Sequence, residues 1–249
     1  MSKSNFFIKL IKWFWRELKE NVFSLIDLVY PAFCYGCDGR LRIQEHYICI
    51  KCVLDLPYTL FDNSKKNVLF TIFEGRIKNF EKAYSLCYFV KHSQLQHILH
   101  ALKYKNAPEL GHELGIYLGN EMKSINFDDF DVIIPIPLHP SRLKHRGYNQ
   151  SEEIANGITE VIDAVVDTKS VVRVVATQTQ TKKGKLERWK NVENIFEVKF
   201  PHKLDGKHIL VIDDVITTGS TIEALTKEIE QVVKNVKISI ASIAVAKKM

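Results

Sequence analysis

The stretch His208-Ile-Leu-Val-Ile-Asp-Asp-Val-Ile-Thr-Thr-Gly-Ser-Thr221 sets narrow limits on what this chain can fold into. Residues 209–212 are consecutive apolar β-formers and read as a buried strand. Asp213 and Asp214 follow directly. A hydroxyl-rich turn comes next, with Thr217, Thr218, Gly219, Ser220 and Thr221, and a helical pattern begins at Ile222. A strand that runs through a glycine turn into a helix aims unpaired backbone N–H groups at one spot. The helix dipole adds to them, so that spot suits phosphate. Carboxylates at the C-terminal end of a strand accept hydrogen bonds from vicinal hydroxyls, as an acid does toward ribose in dinucleotide folds. Phosphate donors on one side and diol acceptors on the other describe a ribose 5-phosphate site. The plainer alternative, an ordinary strand–turn–helix with an acidic cap, leaves the density of acids and hydroxyls unexplained. The stretch has no Gly-Lys-Ser/Thr ending, which excludes a P-loop.

This stretch resembles the motif with which type I phosphoribosyltransferases bind 5-phosphoribosyl 1-pyrophosphate (PRPP). The resemblance implies that Asp213 and Asp214 hold the ribose 2′- and 3′-hydroxyls and that residues 217–221 hold the 5-phosphate. It leaves the acceptor of any transfer unspecified.

The rest of the chain supplies a sheet for this strand. Residues 83–91, 131–137, 171–175, 192–200 and 237–245 read as further strands. Helical faces run over residues 95–102 and again after Pro108, through Leu110, Leu114 and Met122. Strands alternating with helices predict an α/β domain with a mainly parallel sheet, and the resemblance implies that it is type I phosphoribosyltransferase-like, with helices on both faces. Pro135 and Pro137 cannot donate ladder hydrogen bonds, so the chain is expected to leave the sheet there. A basic loop with Arg142, Lys144 and Arg146 then precedes a helix starting near Ser151. Such a loop suits a pyrophosphate, and the alternative is a solvated basic loop. Residues 177–191 are polar and strongly basic and include Gln180, Lys182, Lys185 and Arg188. They read as a loop that closes over a bound anion, that tracks single-stranded nucleic acid, or that is simply solvated.

Cysteine usage points to a second module. Cys34 and Cys37, then Cys49 and Cys52, form two C-x-x-C pairs, and four thiolates at this spacing predict a closed, structural zinc site. Gly36 and Gly39 are expected to supply its tight turns. Cys87 sits in an apolar stretch and reads as core rather than catalytic. Paired cysteines suit a reducing compartment better than a disulfide scaffold. Ahead of the module, Phe7, Leu10, Ile11, Phe14 and Leu18 share one helical face, with Lys9, Lys12, Arg16 and Lys19 largely elsewhere. This amphipathic segment suits either a membrane surface or, as the preferred reading, docking on the domain or a partner. No uncharged apolar run of roughly 18 residues offers a membrane span. A formal net charge of +6 favours anionic partners.

The elements taken together and in order resemble the ComF family across nearly the whole chain. They are the two C-x-x-C pairs, His100-Ala-Leu-Lys-Tyr104, Pro135-Ile-Pro-Leu-His139, Arg146-Gly-Tyr-Asn-Gln150, the Gln180 to Phe196 pattern, and Asp213-Asp214. Lys183 stands where the family usually has leucine, and Asp38 where glycine is common. The resemblance implies a four-cysteine zinc module (31–57) and a phosphoribosyltransferase-like domain (80–249); the N-terminal amphipathic helix (1–30) is read from its own periodicity and extends beyond the family's usual short lead-in. The resemblance also implies PRPP as ligand with Mg2+, a cytosolic place near the inner membrane face, and a link to DNA uptake in natural transformation. In the alternative, non-catalytic reading, the zinc module and the basic loop bind single-stranded DNA or a competence helicase. Whether the site transfers ribose 5-phosphate to a nitrogen acceptor or only senses PRPP or a nucleotide stays open at this point.

Overall fold

The computed structural model describes residues 31–62, 67–175 and 195–246. The N-terminal amphipathic segment and the basic loop holding Gln180, Lys182, Lys185 and Arg188 lie outside the described residues. The chain divides into two compact units between Asp55 and Leu56.

In the first unit, the described residues form two cysteine knuckles and one short helix, α1 (Ile50–Leu54), capped by Cys49. The second unit begins with α2 (Val68–Phe73), whose N-cap Asn67 accepts the Phe70 N–H at 2.7 Å and donates to Ala83 O at 2.9 Å. Strand β1 (Phe80–Phe89), helices α3 (Gln94–Tyr104) and α4 (Pro108–Ser124), and strand β2 (Val132–Pro135) follow. The chain then forms α5 (Pro140–Arg146), α6 (Gln150–Thr159), β3 (Val165–Val166), β4 (Val171–Arg173) and β5 (Phe196–Val198). Strand β6 (His208–Ile216), helix α7 (Ser220–Val232) and strand β7 (Lys237–Ala246) complete the unit.

The main sheet has the order β1-β7-β6-β2-β3, and every pairing in it is parallel. Alternation along the strands divides its side chains between two faces. Ile209, Val211, Ile238 and Ile240 meet Leu69 and Phe73 of α2 and Ile222, Leu225 and Ile229 of α7 in one core. Ile133, Leu210 and Ile212 point the other way and are fully buried, on the side where α6 packs on β2 and β6 and α4 on β1 and β7. The expected parallel sheet with helices on both faces is therefore present. Two strands were misplaced by the sequence reading. Neither the 171–175 strand nor the 192–200 strand joins the main sheet; β4 pairs antiparallel with β5 in a separate hairpin, and Val171 and Phe196 pack into the α2–α7 core. The partner of β4 lies far along the chain, so local periodicity cannot distinguish the two placements.

Helices α4 and α6 approach to backbone contact. A Cβ on Gly157 would lie 1.9 Å from His112 O, and one on Gly115 would lie 2.1 Å from Ile154 O. Main-chain atoms cannot rotate away, so the helices must separate. Gly157→Ala is expected to cost at least about 3 kcal/mol. That lowers Tm by about 6–12 °C for a unit of this size. Thermal unfolding followed by circular dichroism checks this, and an unchanged Tm refutes the close approach. Among the described residues, no helix is long and apolar enough to cross a membrane.

Candidate functional site

Strands β2 and β6 lie side by side, but β2 continues to β3 at one edge while β6 continues to β7 on the other side. Chain direction thus diverges between their C-terminal ends, which is where open α/β sheets bind ligands. The proline-rich exit opens this crevice. The last ladder partner of β2 is Pro135 with Ile212, and Ile136 N–H still reaches Ile212 O at 2.9 Å before the chain departs. Strand β6 runs on to Ile216 along β7 alone. Asp213 and Asp214 therefore lie within the strand, not past its end as the sequence suggested, and on the stretch that β2 has vacated.

A cleft of about 500 Å³ occupies the vacated space. Asp213, Asp214 and Thr221 line it, with Lys103, Tyr104, Arg142, Arg146, Gln150, Ser151 and Arg173. Lys103 Nζ is 2.8 Å from Asp214 Oδ2. The Ser151 hydroxyl donates to Asp213 Oδ1 at 3.4 Å, and the Asp214 N–H donates to the same oxygen at 2.8 Å. Burial pushes the Asp213 carboxyl up to about 7, and the charge of Asp214 adds to this. The Asp214 N–H, Lys103 and Ser151 pull the other way. Two adjacent carboxyls in a tight site share protons in this manner. Burial, then the charge of Arg142, hold the Arg173 guanidinium below its usual range while Asp213 opposes them. It remains protonated near neutrality. Four cationic side chains facing two carboxyls make a cleft suited to a polyanion that also carries hydroxyl donors.

The segment read as a basic loop is the short helix α5, and this changes which residues meet the cleft. Arg142 and Arg146, four residues apart, share one helical face and line it. Lys144 lies two residues on, is exposed and does not line it. Gly147, in the left-handed conformation at φ +88°, ends α5, and its N–H bonds to Leu143 O at 2.8 Å. The next residues aim α6. The buried Tyr148 hydroxyl donates to Leu102 O, and Asn149 caps α6 while donating to Ile136 O at 3.1 Å. Gln150 and Ser151 thereby face the cleft.

The hydroxyl turn between β6 and α7 is held from behind. Gly219 adopts φ +76°, and a Cβ there would lie 2.6 Å from the Phe73 ring. Arg76 donates to Thr218 O at 3.0 Å and to Ile72 O at 3.1 Å, and it forms an ion pair with Glu223. The α7 ladder opens with Glu223 N–H on Gly219 O at 2.9 Å, which leaves the Thr221 and Ile222 N–H groups in the unladdered first turn. Of the turn, Thr221 lines the cleft, while Thr217, Thr218 and Ser220 are exposed.

Cys34, Cys37, Cys49 and Cys52 place their sulfurs within 4.8 Å of one another. The Cys37 and Cys49 sulfurs are 3.8 Å apart, close to the edge of a tetrahedron with metal–sulfur bonds of about 2.3 Å. Gly36 N–H and Cys49 N–H each lie 3.3 Å from Cys34 Sγ, and Cys52 N–H lies 3.4 Å from Cys49 Sγ. Burial raises the Cys34 thiol, but backbone N–H groups led by Cys49 and Gly36 outweigh it and bring it down to about 7. Burial, then the neighbouring sulfurs, push Cys52 up. Four thiolates cannot share this space without a cation, and an all-sulfur donor set fits zinc. The left-handed residue of the first knuckle is Asp38, at φ +55°, rather than Gly36 or Gly39. Cys87 is fully buried in β1, where burial pushes its thiol up to about 12.

No family model matches the chain. The DNA utilization protein YhgH of Salmonella typhimurium is 30% identical over 134 residues, covering 52% of this chain and 58% of that protein. Competence protein F of Haemophilus influenzae is 26% identical over 208 residues, 78% of this chain and 89% of that protein. The chain is a relative of the ComF proteins. Competence protein ComFC of Bacillus subtilis is 25% identical over 190 residues, 76% of this chain and 74% of that protein. This ComF relative thus matches less than two thirds of the length of YhgH but most of protein F. Among solved structures, glutamine PRPP amidotransferase from B. subtilis, complexed with ADP and GMP, superposes with a TM-score of 0.36 at 17% identity. That overlap covers 52% of this chain and 26% of the enzyme. Hypoxanthine phosphoribosyltransferase from Staphylococcus aureus gives 0.34 at 14% identity, over 54% and 62%. Both overlaps are loose.

Proposed function

We propose that this ComF relative binds PRPP, or a closely related phosphorylated ribose, in the cleft between β2 and β6, and serves DNA uptake. The observation that carries the binding reading is the cleft itself, where Asp213 and Asp214 face Lys103, Arg142, Arg146 and Arg173 and Thr221 closes the side at the start of α7. In this reading the diad accepts the ribose 2′- and 3′-hydroxyls. The turn of residues 217–221 and the first N–H groups of α7 take the 5-phosphate. Arg142, Arg146 and Arg173 meet the pyrophosphate. Mg2+ accompanies the pyrophosphate, since it binds phosphates readily and needs few protein ligands. The four cysteines hold a structural zinc ion. If transfer follows, the bond from the anomeric carbon to pyrophosphate breaks as a nitrogen acceptor attacks. The protein's part is then positioning and charge neutralisation. The role in DNA uptake draws on relatives named as competence proteins, and a place at the cytosolic side of the membrane draws on the family resemblance alone.

Calorimetric titration of the zinc-loaded protein with PRPP and Mg2+ tests the reading. Saturable one-to-one binding is expected, with competition by ribose 5-phosphate. No heat from a folded, zinc-loaded sample sinks it. A second reading, non-catalytic binding of single-stranded DNA or a helicase, draws on the DNA utilization relatives and on the three cations of α5. A DNA affinity that falls steeply with salt, without PRPP binding, favours that reading.

A further inference from the structure

Tyr104 ends α3 in the lining of the cleft and has 65% of its surface exposed. A core role would bury the ring, and one exposed ring is too small to dock a protein partner. The ring is nevertheless held from two elements. His100, one turn back on α3, lies 4.7 Å away between ring centroids, and the Arg146 guanidinium of α5 lies 5.8 Å from the Tyr104 centroid. The preceding residue, Lys103, touches the diad at Asp214. A steadied aromatic ring therefore stands one residue from the group that meets the diol acceptors, in the same cleft.

A fixed tyrosine beside a guanidinium is suited to stack a flat heteroaromatic ring. Bases stack on such platforms with little regard to sequence, and arginine adds a cationic face. We infer that Tyr104, steadied by His100 and Arg146, is the stacking platform for the nucleobase of a nucleoside 5′-phosphate whose sugar and phosphate occupy the cleft. This rests on the ribose-phosphate reading above and adds to it the class of ligand: a ribonucleotide or an aromatic nitrogen base.

The test compares ribose 5-phosphate, AMP and dAMP by calorimetry on the wild type, Tyr104→Ala and Tyr104→Phe. In the wild type AMP binds about tenfold more tightly than ribose 5-phosphate, the gain coming from the base. Tyr104→Ala loses that gain and binds ribose 5-phosphate as before, while Tyr104→Phe keeps it within about twofold. Equal affinity of the wild type for AMP and ribose 5-phosphate, or a gain that survives Tyr104→Ala, overturns the platform and leaves the ribose-phosphate reading standing. dAMP lacks the 2′-hydroxyl, so the AMP-to-dAMP difference reads the diad independently of the platform. Failure of the wild type to bind ribose 5-phosphate overturns the ribose-phosphate reading, and the platform built on it falls as well.

Discussion

The double substitution Asp213→Asn/Asp214→Asn is expected to weaken binding of ribose 5-phosphate and PRPP by at least about a hundredfold, while leaving inorganic pyrophosphate bound as well as before or better. Each carboxylate–hydroxyl bond is charge-assisted, and such bonds contribute about 1.5–3 kcal/mol. Asparagine keeps a neutral acceptor, so only part of each is lost, and two partial losses give the stated bound. The cleft's remaining charges act in the opposite sense. Lys103, Arg142, Arg146 and Arg173 stay while the negative charge of the diad leaves, so a bare anion is attracted more strongly. A general loss of binding, pyrophosphate included, would point to a collapsed cleft. A loss confined to ligands with a vicinal diol identifies the diad as the diol acceptor.

The same pair has a signature in stability. Burial and the neighbouring charge of Asp214 raise the folded Asp213 carboxyl from the ordinary 3.8 to about 7. The folded state therefore binds this proton more tightly than the unfolded state. Stability contributed by the protonated group is fully present below about pH 4 and is lost as pH rises through 7. Asp213→Asn removes that loss. The variant is expected to show a flatter Tm profile between pH 4 and pH 7 than the wild type, and a higher Tm at pH 8. Parallel profiles would mean that Asp213 ionises as an ordinary exposed carboxylate.

What the chain reveals before folding depends on whether its signals are local. The run from His208 to Thr221 carries strand, acids, turn and helix in one segment, and its neighbours are dictated by its own sequence. The prolines at 135 and 137 announce where β2 leaves the sheet, because a missing donor is a property of the residue itself. Other parts of the cleft arrive from a distance. Arg173 reaches it from a hairpin whose partner strand begins at Phe196, and Lys103 reaches Asp214 from the end of α3. No periodicity links those positions, although Lys103, Tyr104, Gln150 and Ser151 fall in or beside segments that carry the ComF resemblance. Lys144 errs the other way: charge clustering singles it out, and the helical turn of α5 directs it away from Arg142 and Arg146. Arg76 and Phe73 escape notice because they support the turn at Thr218 and Gly219 through backbone contacts that leave no pattern in the chain.

Removal of metal is expected to unfold residues 31–55 and leave the sheet unit folded. Among the described residues of this segment, the buried apolar side chains besides the sulfurs of Cys34 and Cys52 are Leu41 and Ile48. Each contributes about 1.5–3 kcal/mol on burial, which cannot order a segment with almost no regular structure beyond α1. A four-thiolate zinc site contributes about 10–16 kcal/mol at neutral pH. The backbone donors already aimed at Cys34 and Cys49 would stabilise the thiolates once a cation holds them together. A strong chelator should therefore release one zinc ion per chain and expose the amides of residues 31–55 to hydrogen exchange. The strands β2, β6 and β7 keep their protection, since their core is apolar and independent of the cysteines. Cys52→Ala should reproduce the effect without chelator, because it removes one of the four sulfurs that together could close a tetrahedral site. Retention of amide protection in residues 31–55 after complete loss of zinc would show that packing alone holds the knuckles, and the four sulfurs would then need another explanation.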